Sequence, residues 1–156
     1  MNKSRRNGVF VAAAIAVAAG AGAAWSQDAM KVVQDRQALM KRQSKDLEAI
    51  KAYIDDKGDI AAARTAGADL VQAIKAIPAA FPKDTGMAQF PGKSGAKPAV
   101  WTEWDKFTAA AQNAGTKAEA LNTALQGGDK AAITAAFGET GKNGCGACHT
   151  PYREKI

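Results

Sequence analysis

The feature that most constrains this chain is a short motif of two cysteines and a histidine near the end of the sequence. It reads Cys145-Gly146-Ala147-Cys148-His149 and contains both cysteines and the only histidine of the 156 residues. The spacing C-x-x-C-H is that of c-type haem attachment. Two thiols three residues apart can each form a thioether with a vinyl group of one haem, and the histidine can then ligate the iron. The motif predicts one covalent haem, anchored by Cys145 and Cys148 and ligated by His149.

The same motif has three plainer interpretations. A C-x-x-C pair can be a structural disulfide, a thioredoxin-like redox pair or half of a zinc site. Zinc needs three or four ligands, and the sequence contains no further cysteine or histidine. A redox pair of the thioredoxin type is expected in a βαβ context, which the rest of the chain lacks. Haem attachment is therefore the favoured interpretation.

The first 26 residues predict a cleaved secretory signal peptide. Three of the first six residues are basic, residues 9–19 are apolar, and the small residues up to Ser26 suit a cleavage site. A retained membrane anchor is disfavoured, because the apolar run is too short to span a bilayer comfortably. Export agrees with the haem motif, since thioether formation in bacteria takes place outside the cytoplasm. We therefore expect a periplasmic protein whose cytochrome domain covers residues 27–156.

Charge and length limit the classes of partner. The whole chain has 21 basic and 15 acidic residues, a formal net charge of +6. Three of the basic residues lie in the predicted signal peptide, so the remaining 18 against 15 acids leave +3 for the mature chain. No basic stripe with interleaved aromatic residues occurs, so nucleic-acid binding is not indicated. About 130 residues remain, which is enough for one domain with one core.

The mature chain predicts helices and no strands, because alanine is abundant and β-branched residues are sparse. A first helix is expected over 28–56, where buried positions recur every seven residues, with Gly58 as its stop. Asp59 should cap the second helix. A loop rich in proline and glycine follows over 78–98, with Phe81 expected to hold it against the helices. The positions on the buried face of the first helix are Val33, Arg36, Met40, Gln43, Leu47, Ile50 and Ile54.

The second half of the chain predicts two further helices. The third should begin at Pro98 and bury Trp101 and Trp104. The pair Gly127-Gly128 should end it, and Asp129 should cap the fourth helix, which leads into the haem motif. Short turns make helices one and two, and three and four, antiparallel neighbours. The predicted fold class is all-α: an antiparallel four-helix bundle with one covalently bound c-type haem near one end.

Three features of the sequence occur together. The haem motif lies at the C-terminal end, a basic residue, Arg153, follows His149 by four positions, and the first helix contains the segment 36–40, Arg-Gln-Ala-Leu-Met. In these respects the chain resembles the class II c-type cytochromes, the family of cytochrome c′ and cytochrome c-556. The resemblance covers the whole mature chain. Pro151 departs from the family pattern, and because it has no N–H to bond the carbonyl of Ala147, we expect a kink there.

The resemblance implies roles for four residues around the haem. Arg36 is expected to pair with a propionate, and Gln37 to lie beside the haem. Met40 should face the iron on the side opposite the histidine. Arg153 should shield the proximal histidine or meet a propionate.

The second axial position of the iron decides the function. A second histidine ligand is excluded, so the candidate ligands are Met30, Met40 and Met87. Met40 is favoured because it lies in the middle of the buried helical face, whereas Met30 is near the helix start and Met87 is in the loop. In c-556-like members the first-helix methionine ligates a low-spin iron. In c′-like members the residue there only covers a high-spin iron that binds NO or CO.

The leading hypothesis is an electron carrier with His149 and Met40 as axial ligands and periplasmic redox proteins as partners. The alternative is a gas-binding protein in which Met40 packs over an open iron. An enzyme such as a peroxidase is not expected, because the one histidine is proximal and no distal base is evident. Stable membrane insertion is not expected either. The resemblance also implies that some members form homodimers through their first two helices.

Overall fold

The structure is a computed structural model that describes residues 19–156. These residues contain six α-helices, of which the four long ones form a bundle. Those residues contain no strand, and one isolated antiparallel bridge joins Ala96 to Arg153. A short 3₁₀ turn over Pro78–Ala80 begins the long loop, and a π-helical segment over Thr140–Gly146 joins the last two helices. The helices are α1 (Ala19–Ile54), α2 (Ile60–Lys75), α3 (Ala99–Thr102), α4 (Trp104–Gly127), α5 (Lys130–Glu139) and α6 (Ala147–Tyr152).

Helix contacts close the bundle around one hydrophobic core. α1 packs against α2, α2 against α4, and α4 against both α5 and the π-helical segment. α1 also contacts α5, so every long helix has two neighbours. The core draws fully buried side chains from each of them, such as Ile50, Leu70, Leu121 and Ile133. The predicted all-α, four-helix-bundle fold is confirmed.

The predicted helix caps are confirmed. A side-chain oxygen of Asp59 accepts a hydrogen bond from the N–H of Ala62 at 2.9 Å. Asp129 accepts one from the N–H of Ala131, also at 2.9 Å. These bonds satisfy amides that would otherwise lack an intrahelical partner. Gly128 follows α4 in the left-handed conformation with φ +78°, as the glycine pair predicted.

The end of α1 differs from the prediction. The helix ends at Ile54, and the residue in the left-handed conformation is Asp56, with φ +59°, rather than Gly58. The N–H of Lys57 donates to the carbonyl of Ala52 at 2.8 Å, which completes a Schellman-type turn. Aspartate tolerates this conformation better than most residues, so the turn closes two residues before the glycine.

The predicted third helix is broken in two. Glu103 leaves the helical region, with φ −122° and ψ 42°, and separates α3 from α4. Trp101 is half-buried and donates to the carbonyl of Phe81 at 3.0 Å. Trp104 is 39% exposed and packs one side of its ring against Phe107. The prediction that both tryptophans are core residues is wrong for Trp104, because the break at Glu103 takes the two rings off a common helical face.

The predicted signal peptide is covered only in part. Residues 1–18 lie outside the described residues, and Ala19 begins α1. The boundary at residue 26 stays a prediction. Among the helices described from residue 19 onward, none is both long and apolar enough to cross a bilayer.

Candidate functional site

A cavity of about 570 Å³ lies between α1, α2, α4, α6 and the long loop. Its size is typical of a site for a cofactor. Its deepest walls are apolar, with Ile74, Phe107 and Ala111 contributed by α2 and α4. The fold brings α1 and the C-terminal segment together here, and all seven candidate site residues line the cavity. They are Arg36, Gln37, Met40, Cys145, Cys148, His149 and Arg153.

The two cysteines are half-buried thiols on the cavity wall. Both are free, so they form no structural disulfide. Burial raises the pKa of the Cys145 thiol; burial and then the proximity of Cys145 raise the pKa of the Cys148 thiol. Redox-active C-x-x-C thiols have a lowered pKa, so the thioredoxin-like interpretation gains no support. Within residues 19–156, no three His, Cys, Asp or Glu side chains converge to hold a metal ion, so a zinc site is not available there.

The surroundings of His149 favour the neutral form of its imidazole. Burial is the larger cause, and the nearby charge of Arg153 the smaller one, of a lowered pKa for the His149 imidazole. The neutral ring that results at neutral pH is the form that binds iron. His149 lies in α6, one residue after Cys148, on the same cavity wall.

The π-helical segment brings the first cysteine to the cavity. The hydroxyl of Thr140, which is fully buried, donates to the carbonyl of Lys117 in α4 at 3.1 Å. The side chain of Asn113, also in α4, donates to the carbonyl of Asn143 at 2.6 Å. These bonds hold a wider helical turn against α4 and set the direction in which Cys145 leaves it. Sequence analysis predicted a continuous fourth helix here and missed this segment.

The chain after the histidine is held by the long loop. Pro151 does not end α6, which continues to Tyr152, and the N–H of Arg153 donates to the carbonyl of His149 at 3.0 Å. The kink at Pro151 stays a prediction. Arg153 is extended and pairs with Ala96. The N–H of Glu154 then donates to the carbonyl of Gly95 at 2.7 Å. We call this pairing of residues 95–97 with residues 152–154 the tail clasp; it places Arg153 on the cavity wall.

Arg36 anchors the other end of the same loop. Its Nη1 donates to the carbonyl of Ala80 at 3.3 Å and to the hydroxyl of Thr85 at 3.1 Å. Its Nη2 donates to the carbonyl of Thr85 at 2.7 Å and to the hydroxyl of Ser94 at 2.9 Å. The guanidinium also lies 4.5 Å from the centre of the Phe81 ring. All these acceptors are uncharged, so the structure shows a loop anchor, while pairing of Arg36 with a propionate stays a prediction.

Replacing Arg36 with methionine should destabilise the protein by about 2–3 kcal/mol, because several buried loop oxygens would lose their donors. Burial lowers the pKa of Arg36 to about 10, so the donor is charged at neutral pH. Arg42→Met is the matched control on the same helix. Arg42 forms an exposed ion pair with Asp69 at 3.3 Å, so its loss should change the free energy of unfolding by less than about 0.5 kcal/mol. Equal effects of the two variants in urea unfolding would contradict the anchoring role.

The three candidate methionines differ in the cavity that they line. Met40 lines the large cavity, whereas Met30 lines a smaller neighbouring cavity and Met87 lines neither. Gln37 lines both cavities, and its amide donates to the carbonyl of Lys93 at 2.7 Å. Among the described methionines, Met40 is therefore the one that shares the large cavity with both cysteines and His149. Its place on the distal side stays a prediction.

The donor set fits a covalent haem. Two thiols separated by one helical turn and a neutral imidazole share one wall, and the remaining lining is largely apolar. A family model described as Cytochrome C′ matches residues 31–153, nearly the whole predicted mature domain. The chain belongs to the cytochrome c′ family. Proteins of this family bind one covalent c-type haem, so the chain is a monohaem class II cytochrome.

Individual relatives support the assignment over most of the chain. Cytochrome c-556 from Agrobacterium tumefaciens is 33% identical over 129 residues, which cover 79% of this chain and 97% of the relative. Cytochrome c′ from Rhodospirillum rubrum is 32% identical over 150 residues, with 93% and 97% covered. A solved structure, the nitric oxide complex of a mutant cytochrome c prime from Alcaligenes xylosoxidans, is 25% identical with a TM-score of 0.69, covering 83% and 97% of the chains.

When bound, the haem supplies an iron that can exchange one electron and take up an axial ligand. In this chain Cys145 and Cys148 would anchor it, and His149 would ligate the iron. Burial and, second to it, the charge of Arg153 lower the pKa of the imidazole, and Arg153 is itself held by the tail clasp. The apolar side chains of α2 and α4 exclude water from the interior of the site.

Proposed function

We propose that this cytochrome binds NO or CO at an open distal face of its haem, with His149 as the proximal ligand. In this proposal Met40 packs over the iron and does not ligate it. The reaction is reversible binding of a small neutral gas, and no residue acts as a catalyst. The proposal is the alternative of the sequence analysis rather than its leading hypothesis.

The observation that carries the proposal is the packing of Met40. The side chain is half-buried and already in contact with the hydrophobic core. The lining of the same cavity also includes the apolar side chains of Ile77 and Phe81. A thioether packed in this way excludes water yet can yield to a small apolar gas, because methionine has flexible side-chain torsions. The similarity to a cytochrome c prime solved with nitric oxide supports the same function.

A second candidate is electron transfer through a low-spin iron ligated by His149 and Met40. The similarity to cytochrome c-556 favours it, as does the position of Met40 on the cavity wall. A thioether ligand would raise the reduction potential and keep the coordination alike in both oxidation states.

The variant Met40→Ala separates the two functions. If Met40 only packs, the ferric wild type is already high-spin, and the variant stays high-spin while CO associates several-fold faster because the lid is smaller. If Met40 ligates, the wild type is low-spin and the variant becomes high-spin. Ferric optical and EPR spectra, with stopped-flow CO binding, measure both. Met87→Ala, in the loop and off the cavity, should change neither the spin state nor the CO rate.

The location follows from the haem: export to the periplasm is expected because haem attachment by thioethers takes place there. Periplasmic redox proteins would be partners under the second candidate function, electron transfer. A homodimer through α1 and α2, which the family resemblance implies, stays a prediction.

A further inference from the structure

One buried polar side chain in the cavity has no role in the function proposed above. Gln43 lies on α1, three residues after Met40, and both side chains line the cavity. Residues three apart on a helix share a face. Gln43 is only 7% exposed. A buried primary amide in a largely apolar wall is costly unless its donors and acceptor find partners.

The partners that the protein offers to Gln43 are few. Its Nε2 donates to the carbonyl of Ala73 in α2 at 3.4 Å, which is longer than an ordinary N–H···O bond. One N–H and the amide oxygen have no other partner among the described residues. The one fully enclosed side-chain atom without a partner in this part of the chain is Oδ2 of Asp46. The amide oxygen of Gln43 is therefore not fully enclosed, and the Gln43 side chain is part of the cavity lining.

We propose that the Gln43 amide donates a hydrogen bond to the outer atom of a diatomic ligand held on the distal face. The inference rests on the proposed function, and it adds a residue that sets gas affinity and selectivity. Ferrous iron pushes electron density onto a bound diatomic, so the outer atom becomes an acceptor. A hydrogen bond there would stabilise NO more than CO, because bound NO is the more polar ligand. In this arrangement Met40 limits access while Gln43 adds specificity.

The variant Gln43→Met tests the proposal, since methionine keeps the length of the side chain and removes the amide. We expect CO and NO to dissociate about two- to tenfold faster, the range that one hydrogen bond accounts for. The C–O stretch of the ferrous CO complex should move to higher frequency, because the bond that lowers it is lost. Gln72→Met, on the exposed face of α2, is the control and should leave the rates and the stretch unchanged.

A second measurement needs no substitution. In the wild-type CO complex, exchange into D₂O should shift the iron–CO stretch slightly, because a deuteron replaces the amide proton in the hydrogen bond. The shift should be absent in Gln43→Met. Identical stretches, dissociation rates and isotope responses in wild type and Gln43→Met would overturn the proposal, and would leave Gln43 as a bridge between α1 and α2.

The background Met40→Ala keeps this test independent of the proposed function. If wild-type protein takes up no CO, gas binding as the function fails. The Gln43 proposal is then decided in Met40→Ala and in Met40→Ala with Gln43→Met, whose distal faces are open. A higher C–O stretch in the double variant than in the single variant supports the hydrogen bond, and equal stretches contradict it.

Discussion

Serine at both Cys145 and Cys148 should give a protein that contains no covalent haem and is largely unfolded at growth temperature. Each thiol lies on the cavity wall, one in the π-helical segment and one in α6, and serine cannot form the thioether. Each single variant leaves one anchor and should retain part of the haem. The double variant should lose all of it to extraction with acidified organic solvent.

The loss of stability follows from the size of the cavity. A cavity of about 570 Å³ is bordered by core residues such as Ile74 and Phe107. Without haem, the apolar side chains that border the cavity lose the contacts that the haem would make, at a cost on the order of several kcal/mol. A whole domain is stable by only about 5–15 kcal/mol. We therefore expect the haem-free chain to be largely unfolded and to show no cooperative melting transition.

Far-UV circular dichroism on heating measures this loss. Ala147→Ser is the matched control, because it puts a hydroxyl at an exposed position between the two anchors without touching either thiol. That variant should keep its covalent haem and its melting temperature. A double serine variant that retained covalent haem, or that melted with the wild type, would refute the roles of the two thiols.

Gly95→Ala should open the tail clasp and lower the melting temperature by about 10 °C. A Cβ added to Gly95 would overlap the carbonyl oxygen of Glu154. That atom belongs to the backbone and cannot rotate away, so the two segments must separate. The hydrogen bond from the N–H of Glu154 and the pairing of Ala96 with Arg153 would be lost together.

The effect should extend to α6, because the clasp begins at Tyr152, the last residue of that helix. Arg153 would leave the cavity wall, and the proximal side of His149 would open to water. Gly138→Ala is the control, since a Cβ there meets nothing within 4 Å. Within α5 it should stabilise the helix by about 0.5–1 kcal/mol. If both alanine variants melted alike, the clasp would have no part in stability.

Local chemistry explains which features of the fold could be predicted from the sequence. Asp59 and Asp129 cap helices because a carboxylate just before an apolar helical run has the same partners in any fold. The C-x-x-C-H spacing likewise carries its own chemistry, and it located the cavity wall at residues 145–149. The resemblance to a family then placed Met40 on the distal side, and the structure shows that Met40 lines the cavity.

The features that were missed depend on contacts distant in sequence. The exposure of Trp104 follows from the break at Glu103, which no local pattern indicates. The pairing of Ala96 with Arg153 joins two segments whose sequences show no strand pattern. The donors of Arg36 reach the loop only because the loop folds back over α1.

The glycine content of the π-helical segment is a feature of the sequence that indicates irregular structure. Gly141, Gly144 and Gly146 lie within seven residues, which is unfavourable for a regular α-helix. A Cβ at Gly144 would meet the backbone of Ala114 at 3.4 Å, an ordinary van der Waals contact, so packing against α4 does not by itself require glycine there. Such a cluster indicates irregular helix, although it does not by itself indicate which kind.

The spin state of the wild-type ferric iron tests the proposed function most directly. EPR and optical spectra of the purified haem protein, followed by addition of CO to the ferrous form, would measure it. An open distal face with Met40 as a lid predicts a high-spin ferric spectrum and ready CO binding. A low-spin spectrum with a methionine-to-iron charge-transfer band and little CO uptake would contradict it, and would make Met40 a ligand of an electron carrier.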